Sequence, residues 1–287
     1  MVSLHFMEKK NSISIGQYNT LRVVREVEFG VYLDGGDRGD ILMPKKYIPN
    51  NTSIGDSVEA FVYLDSEDRI IATTEKPYAT VGEFAYLNVK HVSQYGAFLD
   101  WGLTKDLLVP YREQRSRMEV DKSYIVYLFY DQNSGRIAAT EKINRYLDNI
   151  APRYEQGEEV DVLICDRTPL GFRAIINNLH SGIIYNNEVN RRIAIGDRVK
   201  AYVSKVRDDD KIDLSLQPLG YGKVDSLRDI VVRRLCEHGG SMPVGDKTDP
   251  ETIKVIFGCS KKAFKMTIGT LYKEGVITIT ADSITLQ

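Results

Sequence analysis

Two short segments of this chain, Phe29-Gly-Val-Tyr-Leu-Asp34 and Tyr95-Gly-Ala-Phe-Leu-Asp100, are versions of one another, and their glycines lie 66 residues apart. The same offset carries Gly16 onto Gly82, Leu42 onto Leu108 and Pro44 onto Pro110 without a gap. It also carries Ile71, Ala72, Thr74 and Glu75 onto Ile137, Ala138, Thr140 and Glu141. A third copy follows 75 residues further on, where Gly82 maps to Gly157, Gly96 to Gly171 and Ile137 to Ile212. Gly55-Asp56 of the first copy returns as Gly196-Asp197. The longer second offset is taken up in Asn144–Arg153, which reads as a short helix ending before Pro152. A repeat of this kind means that one small unit is built several times, so the fold must be one that roughly 65 residues can close.

Each copy is a string of short segments rich in Val, Ile, Tyr and Phe, separated by turn residues. In the second copy the predicted strands are Phe84–Val92, Ala97–Asp100, Asp106–Val109, Tyr124–Tyr130 and Arg136–Thr140. Five short strands are too few for a sandwich and suit a small closed barrel. After Pro218-Leu-Gly-Tyr-Gly222 the period changes from two to helical. Leu227, Ile230, Val231, Arg234 and Leu235 fall on one face of a helix ending at Gly239-Gly240. Asp249-Pro250 opens a second helix with a cap and a proline at its first position. Ser260 caps a third, in which Ala263, Met266, Thr267, Thr270 and Leu271 repeat, and Val276–Thr280 with Ser283–Leu286 read as a hairpin. Three helices and a terminal hairpin make a winged helix, a helix-turn-helix variant. The expected fold is therefore mainly β, with three tandem five-stranded barrels followed by an α+β winged-helix domain. The expected domains are 1–77, 78–143, 144–218 (the linker helix and third barrel) and 219–287.

No apolar run reaches the length of a membrane span, and the first residues lack a basic stretch followed by an apolar one. A cytoplasmic protein without a membrane partner is expected. The cysteines, Cys165, Cys236 and Cys259, are odd in number and lack CxxC spacing, which argues against disulfides and a zinc ribbon. His5, His91, His180 and His238 are scattered. Asp208–Asp210 reads as a solvated hairpin turn before it reads as a metal site. With no phosphate-binding loop and no GxSxG elbow, no metal, no cofactor and no enzymatic activity are expected. A net charge of −2 speaks against a protein that lives on phosphate contacts alone. Stacking of unpaired bases needs less charge, and 17 Tyr supply rings that stand comfortably half exposed.

The order of features within a copy resembles the S1-type RNA-binding domain, an OB-fold. A Gly opens strand one, aromatic-Gly-x-aromatic-Leu-Asp follows on strand two, and Gly-Asp precedes strand four. The third copy has the clearest ends, Ile195-Gly-Asp-Arg-Val199 and Ile212-Asp-Leu-Ser-Leu216. The resemblance implies that outward aromatics stack on single-stranded RNA, with Phe29, Tyr32, Tyr95 and Phe98 on strand two. Residues three apart face opposite sides of a regular strand, so both members of a pair reach one face only if the strand bulges or twists near the glycine. The alternative is that one aromatic of each pair fills the barrel. The family's strand-three His is absent: Leu42-Met-Pro44 and Leu108-Val-Pro110 stand there, and Tyr185 takes the place in copy three. Copy three also carries Leu170-Gly-Phe-Arg173 in place of the aromatic pair, and copy one is acidic. Copy two adds Lys90, Tyr111, Arg112, Arg115 and Arg117, and is the expected main RNA contact. A solvated loop face is the other reading of those arginines.

The tail motif Asp246-Lys-x-x-Pro-Glu-x-Ile-Lys254, then Phe257-Gly-x-Ser-Lys-Lys-Ala-Phe-Lys265 and Gly269-x-Leu-Tyr-Lys273, together with the three copies, is similar to the bacterial CvfB family. That resemblance spans essentially the whole chain and implies RNA binding with a post-transcriptional regulatory role. Lys261, Lys262 and Lys265 open the third helix, where a recognition helix would present cations and amide dipoles to phosphate. A solvated basic face is the competing reading. A winged helix can also bind DNA or dock on a ribosomal or nuclease partner.

Overall fold

Alternation of apolar and polar residues shapes the first strand: in β1 (Gln17–Val27) Leu21 and Val23 are buried while Thr20 and Arg22 face outward. The structure, a computed structural model, describes residues 12–189, 191–218 and 227–287. His5 and the break at residues 219–222 lie outside the described residues. The chain divides into two units, Met1–Leu214 and Ser215–Gln287.

In the first unit β1 is followed by β2 (Gly30–Asp34), β3 (Asp40–Pro44), β4 (Ser57–Leu64) and β5 (Ile70–Thr73). They close in the order β1-β2-β3-β5-β4, every pairing antiparallel except β3 with β5. The second barrel repeats this with β6 (Phe84–Ser93), β7 (Gly96–Leu99), β8 (Leu107–Pro110), β9 (Ser123–Asp131) and β10 (Arg136–Thr140). The third uses β11 (Glu159–Thr168), β12 (Gly171–Ile176), β13 (His180–Tyr185), β14 (Arg198–Val206) and β15 (Ile212–Ser215). Closure leaves no unpaired edge, which is how five strands of this length become a stable unit.

The barrels are joined by packed seams. Phe61 and Tyr63 of β4 pack on Trp101 of the second barrel, with ring centroids 5.8 and 6.3 Å apart. Asp68 of the first barrel accepts from Lys105 Nζ at 2.9 Å and from Arg136. Between the second and third barrels, Phe84, Ile125 and Ile143 are buried with Leu163, Cys165 and Ile175. The Phe84 amide donates to Asn178 Oδ1 at 3.2 Å, and Arg198 donates to the Phe84 carbonyl.

The linker corrects an expectation. In place of a helix over Asn144–Arg153 there is one four-residue 3-10 turn, Ile143–Tyr146, and then chain without regular structure. Tyr146 stacks on Tyr127 at 3.9 Å, the Asp148 amide donates to the Leu179 carbonyl, and Asn149 exchanges two hydrogen bonds with Ser181. Pinning to the flank of β13 replaces the intrahelical bonds that a polar, short segment would form poorly.

The second unit comprises α1 (Leu227–Glu237), β16 (Ser241–Met242), α2 (Pro250–Phe257), α3 (Lys261–Lys273), β17 (Ile277–Ile279) and β18 (Ile284–Leu286). Its sheet runs β16-β18-β17, so a third strand joins the expected hairpin. The Asp249 carboxylate caps α2 by accepting from the Glu251 and Thr252 amides, and Ser260 Oγ accepts from Ala263 N at the start of α3. The buried face of α3 is Phe264, Ile268 and Leu271, each such burial worth about 1.5–3 kcal/mol. That corrects the expected stripe through Met266, which is 68% exposed. The larger side chains at i, i+4 and i+7 win the core, while Thr267 and Thr270 turn their hydroxyls back to the Ala263 and Met266 carbonyls.

Candidate nucleic-acid interface

A bulge in the first strand of each barrel determines which side chains face outward. The register shifts between Val23 and Arg25, between Val89 and His91, and between Ile164 and Asp166. Val23, Val89 and Ile164 are fully buried, and the bulge turns the residue two places on to the outer face. Each then meets the outward residue of strand two, giving the pairs Arg25–Tyr32, His91–Phe98 and Asp166–Arg173. The Arg25 guanidinium lies 4.2 Å from the Tyr32 ring centroid. His91 stacks on Phe98 with centroids 4.5 Å apart and planes 11° from parallel. Arg173 stands 3.7 Å from the Asp166 carboxylate.

Tyr32 and Phe98 are therefore half-buried on the outside of their barrels, while Val31, Leu33, Ala97 and Leu99 fill the interiors. Phe29 and Tyr95 are not on strand two, contrary to expectation. Each occupies the tight turn before it, 58% and 65% exposed, because the strand starts at the glycine. The bulge that the spacing demanded sits in strand one, and the glycine serves close approach to strand three instead: a Cβ on Gly96 would lie 2.2 Å from the Val109 carbonyl oxygen.

The basic side chains differ in how free they are. Lys90, the extra residue of the second barrel's bulge, is held 3.0 Å from Asp106 and 3.5 Å from Asp100. The hydrogen bond to Asp106 lifts its pKa above the usual lysine value. Tyr111 donates to the Ser93 carbonyl at 2.6 Å, with Arg117 stacked 3.7 Å over its ring. Arg112 leans toward Asp131 at 3.7 Å and Glu113 at 4.0 Å. Arg115 is exposed, and its main-chain amide donates to Glu141 at 2.7 Å. In the third barrel the Tyr185 hydroxyl sits between Arg207 and Asp213, which themselves pair at 2.9 Å. Asp209, in the 208–210 turn, is paired with Lys211 at 2.6 Å. On α3, Lys265 is bound to Asp246 at 2.8 Å, and that bond holds the Asp246 carboxyl below its usual range. Lys262 is exposed and Lys261 half-buried.

Sequence reasoning missed Arg25 and His91 as parts of the outer face. The signal was present: the two repeat offsets align Arg25, His91 and Asp166, and likewise Tyr32, Phe98 and Arg173.

The S1 domain family model matches residues 15–75 and 81–142, and the CvfB-like winged helix domain model matches residues 229–286. The chain is similar to the CvfB-like proteins over nearly its whole length. YitL of Bacillus subtilis is 28% identical over 278 residues, covering 94% of this chain and 92% of that protein. Conserved virulence factor B of Staphylococcus aureus is 23% identical over 95% of this chain and 94% of its own length. A crystal structure of a multidomain protein with nucleic acid binding domains from Streptococcus pneumoniae is 23% identical, covers 95% of this chain and 98% of that chain, and has a TM-score of 0.41. The S1 match of this CvfB-like chain covers its first two barrels, whereas the third shows its OB character through strand order alone. That is also the barrel in which arginine replaces the outward ring. No helix among the described residues is long and apolar enough to cross a membrane.

Proposed function

We propose that the protein is a non-catalytic, cytoplasmic binder of single-stranded RNA and a bacterial post-transcriptional regulator, with the second barrel as its main contact. The observation that carries this reading is the outer face of that barrel. The His91–Phe98 stack stands beside the projecting Tyr95, with Tyr111, Arg117 and Arg112 following strand β8. Aromatic planes beside guanidinium groups suit unpaired bases with a flanking phosphate backbone. Phe29 and Tyr32 offer a weaker copy in the first barrel, surrounded by Glu26, Glu28, Asp34 and Asp40, which repel phosphate. Lys90 contributes by holding Asp100 and Asp106 neutralised more than by touching RNA, and Tyr185 by fixing Arg207.

Titration of labelled single-stranded RNA into the full chain tests this. Tyr95→Ala with Phe98→Ala is expected to weaken binding by about tenfold for each stacked base lost. Undiminished affinity in that double variant would sink the assignment. The other reading, DNA binding through the winged helix, is favoured only by exposed Lys262 and half-buried Lys261 at the start of α3, since Lys265 is already paired. Duplex DNA binding that disappears on Lys261→Ala with Lys262→Ala would support it. Capture of a protein partner through the second unit without nucleic acid would support a docking role.

A further inference from the structure

Arg173 occupies, in the third barrel, the place that Tyr32 and Phe98 hold in the first two, and it does not face open solvent. It lines a cleft of about 240 Å3 at the seam between the second and third barrels, and Arg115 of the second barrel lines the same cleft. A neighbouring hollow of about 250 Å3 shares Arg115 and continues past Lys142 and Arg145. We propose that this cleft is a phosphate-binding site for the RNA strand, in which Arg115 and Arg173 hold a phosphodiester as the chain leaves the aromatic face of the second barrel. The inference rests on the RNA-binding reading above and extends it to the third barrel.

The two guanidinium groups are under-used. Among the described residues Arg115 has no carboxylate within ion-pair distance, and Arg173 has one, Asp166, at 3.7 Å. Arg173 donates one good hydrogen bond, Nη1 to Asn144 Oδ1 at 3.0 Å, while its Nε is buried with no acceptor. Five N–H donors with one firm acceptor leave a group that a phosphate oxygen would complete. The two acids of the cleft are already engaged by main-chain amides. Glu141 accepts from Arg115 N at 2.7 Å, and Asp166 accepts from Arg167 N at 2.8 Å. Exchanging ring for guanidinium at this position trades base stacking for backbone neutralisation, which positions a strand without reading its sequence. The seam residues Phe84, Ile143 and Cys165 share one buried cluster, so the two arginines sit on barrels that are packed together.

The test uses the full chain and two labelled single-stranded RNAs, one of about 4 and one of about 16 nucleotides, titrated over a range of salt. Arg115→Ala with Arg173→Gln is expected to weaken the long RNA about tenfold. The slope of log affinity against log salt should become shallower by about 0.7 for the one phosphate lost. The short RNA, held by the aromatic face, should keep its affinity, and Arg→Lys at both positions should restore the salt slope. Unchanged long-RNA affinity and slope would overturn the cleft while leaving the RNA-binding reading standing. A wild-type chain that binds neither RNA would overturn both. If Arg173→Gln lowers the melting temperature, Arg115→Ala alone decides, because that side chain is exposed and outside the core.

Discussion

At Gly96 the backbone of one hairpin runs against the next strand so closely that no side chain fits. A Cβ there would meet the Val109 carbonyl oxygen at 2.2 Å and the Pro110 Cα at 2.9 Å, with φ at +150°. Gly82, at φ +94°, has open space around the same hypothetical atom. The two positions separate conformational cost from collision. Gly82→Ala should destabilise by about 1 kcal/mol, the price of a left-handed alanine. Gly96→Ala should cost about 2 kcal/mol or more, because strands β7 and β8 must part. Urea denaturation of both variants checks this, and equal midpoints would refute the close approach. Because Tyr95 and Phe98 flank Gly96, the same substitution should also disturb the aromatic face. That the motif needs a glycine was legible in its repetition, whereas the clamping of Lys90 was not. Its partners, Asp100 and Asp106, lie ten and sixteen residues away and meet it only when the barrel closes.

Among the elements, strands were legible because alternation and turn residues repeat three times, so each copy checks the others. What failed were features determined by partners outside the element. The linker lost its predicted helix to hydrogen bonds with Leu179 and Ser181, and α3 rotated its buried face to suit Phe264 and Ile268. Helix starts were legible, since a cap is local chemistry. Ser260→Ala should cost the second unit about 1 kcal/mol, read from thermal melting by far-UV circular dichroism. Asp249 adds a pH dependence. The Thr252 hydroxyl, then the Thr252 and Glu251 amides, hold its carboxyl below the usual aspartate value. A depressed folded-state pKa means that its contribution is present above the unfolded value of about 3.9 and is lost as pH falls through the lower folded value. Asp249→Asn keeps a capping oxygen but cannot titrate. Helicity in the variant should therefore be less acid-sensitive than in the wild type, and identical acid profiles would show that the cap carries no such linkage.

For the first unit as a whole, the question is whether its barrels act as separate beads or one body, since only a fixed spacing lets one RNA strand engage neighbouring barrels in register. The chain's single tryptophan answers it for the first pair. Trp101 belongs to the second barrel, is 2% exposed, and packs edge-on against Phe61 and Tyr63 of the first. Its Nε1 donates to the Lys105 carbonyl, and the Lys105 ammonium returns to the first barrel at Asp65 O and Asp68 Oδ1. Phe61→Ala, made in one barrel, should then be reported by a tryptophan in the other. Removing a fully buried phenylalanine costs about 3–5 kcal/mol, and the fluorescence midpoint in urea should fall with it. Hydrogen exchange supplies the control. If amides of β1–β5 lost protection in the variant while Trp101 kept its wild-type midpoint, the first two barrels would unfold independently. Coincident loss by both probes is the expected result for a shared core.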